Sequence, residues 1–208
     1  MAKELTQSEE SKTGTRERIV RVAAELFARK GYHATGVEEL SAAVNLARGA
    51  LYYHIGSKED LLWDILWLPA KELADFASAL PESSVDPELR LRHFARALMS
   101  GIANNLDPWT VFFREFHGLT DERLAVVLKL REEFESELWN VLEEGHAQGL
   151  FKAVDPLLAK GLLGMFNYSY LWIRPHGTRT PEEIADLFCD VVLDGILVPD
   201  NGAQRPRP

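Results

Sequence analysis

The side chains best suited to chemistry are concentrated just after Leu46. Arg48, Gly49, Ala50, Tyr52, Tyr53 and His54 supply one cation, two small residues and three groups that can hydrogen-bond phosphate oxygens or base edges. Lys58 follows at a helix start, where free backbone N–H groups favour anions. Cation and backbone together make a natural phosphate clamp. The chemistry on offer is recognition of a nucleic acid rather than the making or breaking of bonds. A helix side meant only for water more often carries Glu and Lys, and adjacent exposed tyrosines are unfavourable unless something covers them. A plainer reading gives the same residues to two small core-packing helices with half-buried tyrosines.

Other chemistries lack their residues. The six histidines have no HxxxH or HExxH spacing and Cys189 is the sole cysteine, so no metal site is supported and no internal disulfide can form. Cys189, beside Phe188 and Val191, reads as a buried inert thiol. There is no Ser-His-Asp order and no phosphate-cradling glycine loop, and Gly161-Leu-Leu-Gly164 reads as helix packing. An enzyme is therefore disfavoured and no cofactor is expected. The polar start lacks the apolar stretch of a secretory signal. The longest near-apolar run, residues 162–172, falls short of the roughly 18–20 residues a membrane span needs. A cytoplasmic protein with no membrane partner is the expectation.

The elements that must position these residues are helices. In 208 residues, Leu and Ala far outnumber Val and Ile, and β-branched residues lose side-chain freedom in helices. A first helix starts near Thr13 to Thr15, carries Ile19, Val22, Ala23, Leu26 and Phe27 at helical spacing, and stops at Gly31. Thr35 and Glu38 form a capping box for a second. Asn45 ends that helix in the left-handed conformation, which Asn tolerates. A third, with Leu51 and Ile55 on its inner side, ends at Gly56. Two short helices joined by a tight turn make the helix-turn-helix plan, whose second helix enters a major groove. Ser57 to Asp60 caps a long fourth helix with Leu61, Ile65, Leu68, Leu73, Phe76 and Leu80 in its stripe. Asp86-Pro87, Asp107-Pro108, Thr120-Asp121, Asp155-Pro156 and Thr180-Pro181 start five more. The total is nine helices and an all-α fold, with loose ends up to about residue 12 and from about 200.

Charge divides the chain. Residues 1–60 balance acids and bases, so the whole net charge of −9 falls beyond them, as does every Trp. Two parts with different tasks are implied: a helix-turn-helix domain over 13–60 and a larger, acidic, aromatic-rich domain over 61–200. The neutral charge of the first is a mild point against nucleic acid, because affinity for DNA comes largely from phosphate neutralisation.

The stretch Phe27-Ala-Arg-Lys-Gly-Tyr-His-Ala-Thr-Gly-Val-Glu-Glu-Leu40, followed by Ala47-Arg-Gly-Ala-Leu-Tyr-Tyr-His-Ile-Gly-Ser-Lys-Glu-Asp-Leu-Leu62, closely resembles the DNA-binding head of TetR-family transcriptional regulators. The resemblance covers about residues 15–62. It implies that Thr35, Tyr52, Tyr53, His54 and Lys58 grip phosphates, while Arg48, Gly49 and Ala50 face base edges. Arg48 is then the reader of guanine O6 and N7. Ala47 and Ala50 stand where the family often has Ser and Thr, so two hydroxyl contacts are missing, and Asn45 replaces the usual turn Gly.

A dimer is expected, since two heads on a twofold axis read a palindromic operator in double-stranded DNA. The family's usual pairing through its last two long helices assigns that interface here. Gly161, Gly164, Met165 and Tyr168 would lie on one helix, and Ile184, Leu187, Phe188 and Val191 on the other. The remaining aromatics suit a large apolar cavity with a few polar fixtures. Most aromatics must be plain core, and the candidates to line it are Trp67, then Trp109, Phe112, Phe113 and Phe116, then Phe166, Tyr170 and Trp172. Arg114, His117 or Arg174 would hold an anionic end, although a salt bridge with a nearby acid explains Arg114 equally well. Gly149-Leu-Phe, Gly164-Met-Phe-Asn, Trp172-Ile-Arg-Pro and Thr180-Pro-Glu-Glu-Ile-Ala resemble the pattern of one TetR subgroup, similar to regulators of fatty-acid, sterol and aromatic-acid catabolism. Several of those answer to acyl-CoA thioesters, so the resemblance implies a repressor released by such an effector. The rival within the family is a multidrug-type sensor of lipophilic cations.

Overall fold

The computed structural model describes residues 2–79, 86–174 and 177–196. Among these there are nine α-helices and no strand: α1 (Ala2–Lys30), α2 (Val37–Ala43), α3 (Arg48–Ile55), α4 (Lys58–Ser78), α5 (Pro87–Asn104), α6 (Leu106–Glu115), α7 (Asp121–Ala147), α8 (Pro156–Asn167) and α9 (Pro181–Ile196). Short 3-10 turns follow α6 at Phe116–Gly118 and α8 at Tyr168–Leu171. The predicted end of α4 at Leu80 and everything beyond Ile196 lie outside the described residues. The α1 helix does not start at Thr13 to Thr15 but reaches back to Ala2. Residues 2–13 hold no Gly or Pro to stop it and several strong helix formers.

Most helix starts obey their local signals. Asp86 and Asp155 each accept a hydrogen bond at 2.8 Å from the N–H two residues on, at Glu88 and Leu157. Thr180 and Glu183 close a reciprocal box, Thr180 N–H donating to Glu183 and Glu183 N–H to the Thr180 hydroxyl. The Asp107-Pro108 pair departs from expectation. The α6 helix starts two residues earlier, at Leu106 after Asn105, and no side chain caps it. Pro108 thus sits inside the first turn, where its missing N–H has no helical partner to lose. Gly149, at φ +71°, ends α7. The N–H groups of Gly149 and Leu150 return to the carbonyls of His146 and Gly145, closing the turn that satisfies free helix-end acceptors.

The chain forms two compact units: residues 1–73 with 105–131, and residues 74–104 with 132–208. Packing therefore does not divide at residue 60. The first unit joins the N-terminal helices to α6 and the start of α7, around a core that includes Ile19, Phe27, Leu51, Leu62, Trp109 and Phe112. Within α4 the buried side is Leu61, Leu62, Ile65, Leu66 and Leu73, whereas Leu68, expected in the stripe, points outward. The second unit packs α5 against α8 and α9 through Leu91, Phe94, Leu98, Phe166, Cys189 and Leu193. Arg92 and Arg96 on α5 pair with Asp186 and Asp190 on one side of α9. Lys152 N–H and Nζ donate to the carbonyls of Ile196 and Gly195 at the end of α9, where a cation suits the helix dipole.

Candidate nucleic-acid interface

The turn between α2 and α3 sets the geometry. Asn45 adopts φ +53°, as expected of a left-handed turn residue. Its N–H reaches the Ala42 carbonyl at 3.1 Å, and the Leu46 N–H reaches that of Ser41 at 3.0 Å. Those two bonds satisfy the end of α2 and redirect the chain into α3. Leu51 and Ile55 are buried, four residues apart, and fix the rotation of α3. Arg48, Gly49, Ala50 and Tyr53 consequently face outward, Tyr53 at 68% exposure, while Tyr52 and His54 are half-buried. The Arg48 guanidinium lies 5.7 Å from the centre of the Tyr52 ring. The ring holds the cation at the surface by cation–π attraction and leaves its donors free for a partner. An outward side built from one arginine, two small residues and a tyrosine can approach a groove closely and bond its edges.

The corner after α3 is built around Gly56, at φ +75° and ψ −82°. Its N–H bonds the Tyr52 carbonyl, and Ser57 N–H turns back to Ile55. Ser57 and Asp60 then close the predicted cap. Asp60 Oδ2 accepts from Ser57 N–H at 2.8 Å and from its hydroxyl at 2.7 Å, and the Ser57 oxygen accepts from Asp60 N–H at 3.0 Å. These bonds and the Arg123 guanidinium hold the Asp60 carboxyl below the usual carboxylate range.

Two of the side chains expected on phosphate point inward. Thr35 is fully buried, and its hydroxyl donates to the Gly31 carbonyl at 2.9 Å. The capping box with Glu38 does not form, Gly36 preceding α2 with no side-chain cap. A buried hydroxyl needs a partner at once, and the Gly31 carbonyl lies within reach on the buried side. Lys58 donates to the Tyr32 carbonyl at 2.6 Å and sits 4.3 Å from the centre of that ring. Burial lowers its pKa, with Glu115 acting the other way. This half-buried ammonium therefore pins the α1–α2 loop to α4.

Sequence reasoning overlooked two residues here. Arg16 on α1 donates to the His54 carbonyl in the last turn of α3 and pairs with Asp64 of α4 at 2.6 Å. Glu72 accepts from Asn105 Nδ2 at 2.8 Å and from the buried Trp109 Nε1 at 2.7 Å. The one available sign was Asp64, a lone carboxylate within the apolar run of residues 61–68 in α4.

The candidate effector residues fall in different units. In the first, Trp109 and Phe112 are buried, Phe113 lies tilted against Trp109 and edge-on to Phe112, and Phe116 lies beneath Arg131 at 4.7 Å. Arg114 forms no salt bridge with an acid among the described residues. It donates to the Ala28 carbonyl near the end of α1 at 3.1 Å, a favourable place for a cation. His117 and Trp67 are exposed. In the second unit Phe166 is buried, Tyr170 half-buried, and Trp172 and Arg174 exposed. The candidate interface residues share that unit. Gly161 and Gly164 are exposed with Leu157 along one side of α8, as are Tyr168 in the 3-10 turn that follows and Leu187 and Val191 on α9, while Met165, Ile184 and Phe188 are half-buried.

Known proteins share this arrangement. A family model described as bacterial regulatory proteins, tetR family, matches residues 19–65, and one for a tetracyclin repressor-like C-terminal domain matches residues 84–196. The HTH-type transcriptional repressor KstR2 of Rhodococcus jostii is 30% identical over 91% of this chain and 95% of its own. The TetR-family regulator PfmR from Thermus thermophilus superposes with a TM-score of 0.76 at 35% identity, over 85% of this chain and 97% of that one. AibR, crystallised in complex with isovaleryl coenzyme A and operator DNA, gives a TM-score of 0.73 at 27% identity, over 85% and 97%. With matched models at both ends and an outward recognition helix between α2 and α4, the chain belongs to the TetR family of transcriptional regulators.

Proposed function

We propose that the protein is a homodimeric repressor that binds a palindromic operator and leaves it when a small apolar effector with an anionic head binds. An acyl-CoA thioester is the effector class we favour. The observation that carries the DNA-binding half is the outward side of α3, where Arg48, Gly49, Ala50 and Tyr53 are exposed while Leu51 and Ile55 anchor the helix. Arg48 reads a guanine, and Tyr52, Tyr53 and His54 reach phosphates. Thr35 and Lys58 are left to hold the head together. Dimerisation uses the exposed apolar sides of α8 and α9, with Gly161 and Gly164 allowing close approach and Leu187 and Val191 supplying the apolar contact. The acyl-CoA reading is supported by the relative solved with isovaleryl coenzyme A and operator DNA, and by the C-terminal sequence pattern. Release requires that the effector prefer the DNA-incompetent state, and couplings of about 1–3 kcal/mol, roughly 5–150-fold, are typical.

The test is the anisotropy of labelled DNA from the gene's own upstream region, titrated with protein and then with a panel of acyl-CoA thioesters. Palindrome-dependent binding released by a thioester supports both halves. Binding that every thioester leaves intact removes the acyl-CoA reading and turns the search to lipophilic cations. In the same titration Leu187→Glu with Val191→Glu should yield a monomer with weak operator affinity. A double variant that stays dimeric would place the interface elsewhere.

A further inference from the structure

We propose that Arg16 is a positioning residue that brackets the recognition helix α3 to α4, so that operator affinity depends on a cation that does not itself touch DNA. The proposal rests on the DNA-binding reading above.

One guanidinium joins three helices. Arg16 stands on α1; one terminal nitrogen donates to the His54 carbonyl in the last turn of α3, and the other pairs with Asp64 Oδ2 of α4 at 2.6 Å. The last carbonyls of a helix have no partner within it, and they carry the negative end of its dipole. A cation there satisfies an acceptor and complements the dipole at once. On the other side, Asp64 is largely buried, with 23% of its side chain exposed, and Arg16 is its ion-pair partner. Burial raises the Asp64 carboxyl's pKa overall, and Arg16 works against that rise. Lysine is a poorer fit, because its single ammonium nitrogen would have to serve both groups, whereas the guanidinium offers each a terminal nitrogen of its own.

The placement matters for what α3 can do. Leu51 and Ile55 set its rotation from within, while its outward side carries the groove-facing residues. The C-terminal end of α3 is held by backbone bonds at the Gly56 corner and by Arg16. Removing the bracket frees that end to tilt, which misplaces Arg48 and Tyr53 relative to base edges without removing any positive charge from the DNA contact.

The full-length protein, in wild-type, Arg16→Gln, Arg16→Lys, Asp64→Asn and double Arg16→Gln/Asp64→Asn forms, should be titrated with the operator and with a scrambled duplex across a range of salt. Arg16→Gln is expected to weaken operator binding about tenfold, one charge-assisted hydrogen bond's worth, and to leave scrambled-duplex affinity and the salt slope unchanged. Arg16→Lys should not rescue it, and the double variant should be no worse than Arg16→Gln alone. Equal losses on both duplexes, with a slope shallower by about 0.9 for each phosphate lost, would make Arg16 a phosphate contact and overturn the proposal. So would wild-type operator affinity in Asp64→Asn, a near-isosteric change that keeps the arginine. Amide exchange in DNA-free protein supplies an independent readout. Faster exchange in α3 but not α2 of Arg16→Gln is expected, and unchanged exchange would refute the bracket. Absence of operator binding by the wild type would instead strike the DNA-binding reading, with exchange still deciding the bracket.

Discussion

Replacing Gly56 with alanine should be far more damaging than its small size suggests. Gly56 holds φ +75° and ψ −82° at the corner between α3 and α4, and an L-residue in left-handed space costs about 1–2 kcal/mol. The added Cβ would also lie 2.7 Å from Asp60 Oδ2. That carboxylate cannot simply step aside, because Ser57 and Arg123 hold it. Displacing it removes a helix cap worth about 1 kcal/mol and disturbs the ion pair, for a total of about 2–4 kcal/mol. Gly149→Ala is the natural control: its φ is +71°, but nothing lies within 4 Å of an added Cβ, so only the backbone cost of about 1–2 kcal/mol remains. Urea unfolding followed by far-UV circular dichroism, with amide exchange in α3 and α4, would measure both. Acid adds a further check. The Asp60 pKa is depressed in the folded state, so its contribution is present above the ordinary carboxylate range and lost as pH falls through the folded value. The excess cost of Gly56→Ala should shrink across that window. If Gly56→Ala loses no more stability than Gly149→Ala, the pinned carboxylate is not an obstacle and the reasoning fails.

Two further outcomes follow from buried groups. Glu72→Ala strands the Trp109 indole N–H in the core and should lower stability by about 1–3 kcal/mol; Glu72→Gln, keeping one acceptor oxygen, should cost less, and thermal unfolding of the pair would show equal losses if the bond were idle. Burial pushes the Cys189 thiol up to about 12, so a thiol reagent at mildly alkaline pH should label it only in denaturant. Since the folded pKa is the higher, its contribution to stability is full below the unfolded value of about 8.5 and declines as pH rises from there towards 12. A Cys189→Ser variant with the same alkaline stability profile would argue against that.

What could be read from sequence was what depends on neighbours. Asn45 in its left-handed turn, the Ser57–Asp60 cap and the Thr180–Glu183 box each need partners only three or so residues away, and all three form. The inner pair Leu51 and Ile55 likewise gave the rotation of α3 from spacing alone. Distant partners were not legible. Lys58 finds the Tyr32 carbonyl, Arg114 that of Ala28 and Arg16 that of His54, and no local pattern announces such partners. Thr35 shows a competition at close range, since burial decided between two acceptable hydrogen bonds. The candidate effector residues are the least legible, because a buried aromatic in a core and one lining a cavity obey the same periodicity.

The compact unit that holds the recognition helix also takes in residues 105–131, and this bears on how such a regulator can be recombined. Thr120 bonds Glu59, Arg123 bonds Asp60 and Arg114 bonds the end of α1. A crossover at residue 60, where charge composition changes, would bring in a foreign first turn of α4 and put a foreign partner into every one of these contacts. Chimeras made to give this regulator a new operator should therefore exchange two stretches of chain together, 1–73 and 105–131. Alternatively, they should exchange only the outward residues of α3, on a scaffold left intact. In breeding terms, the reading head is not a cassette but a graft with a second root.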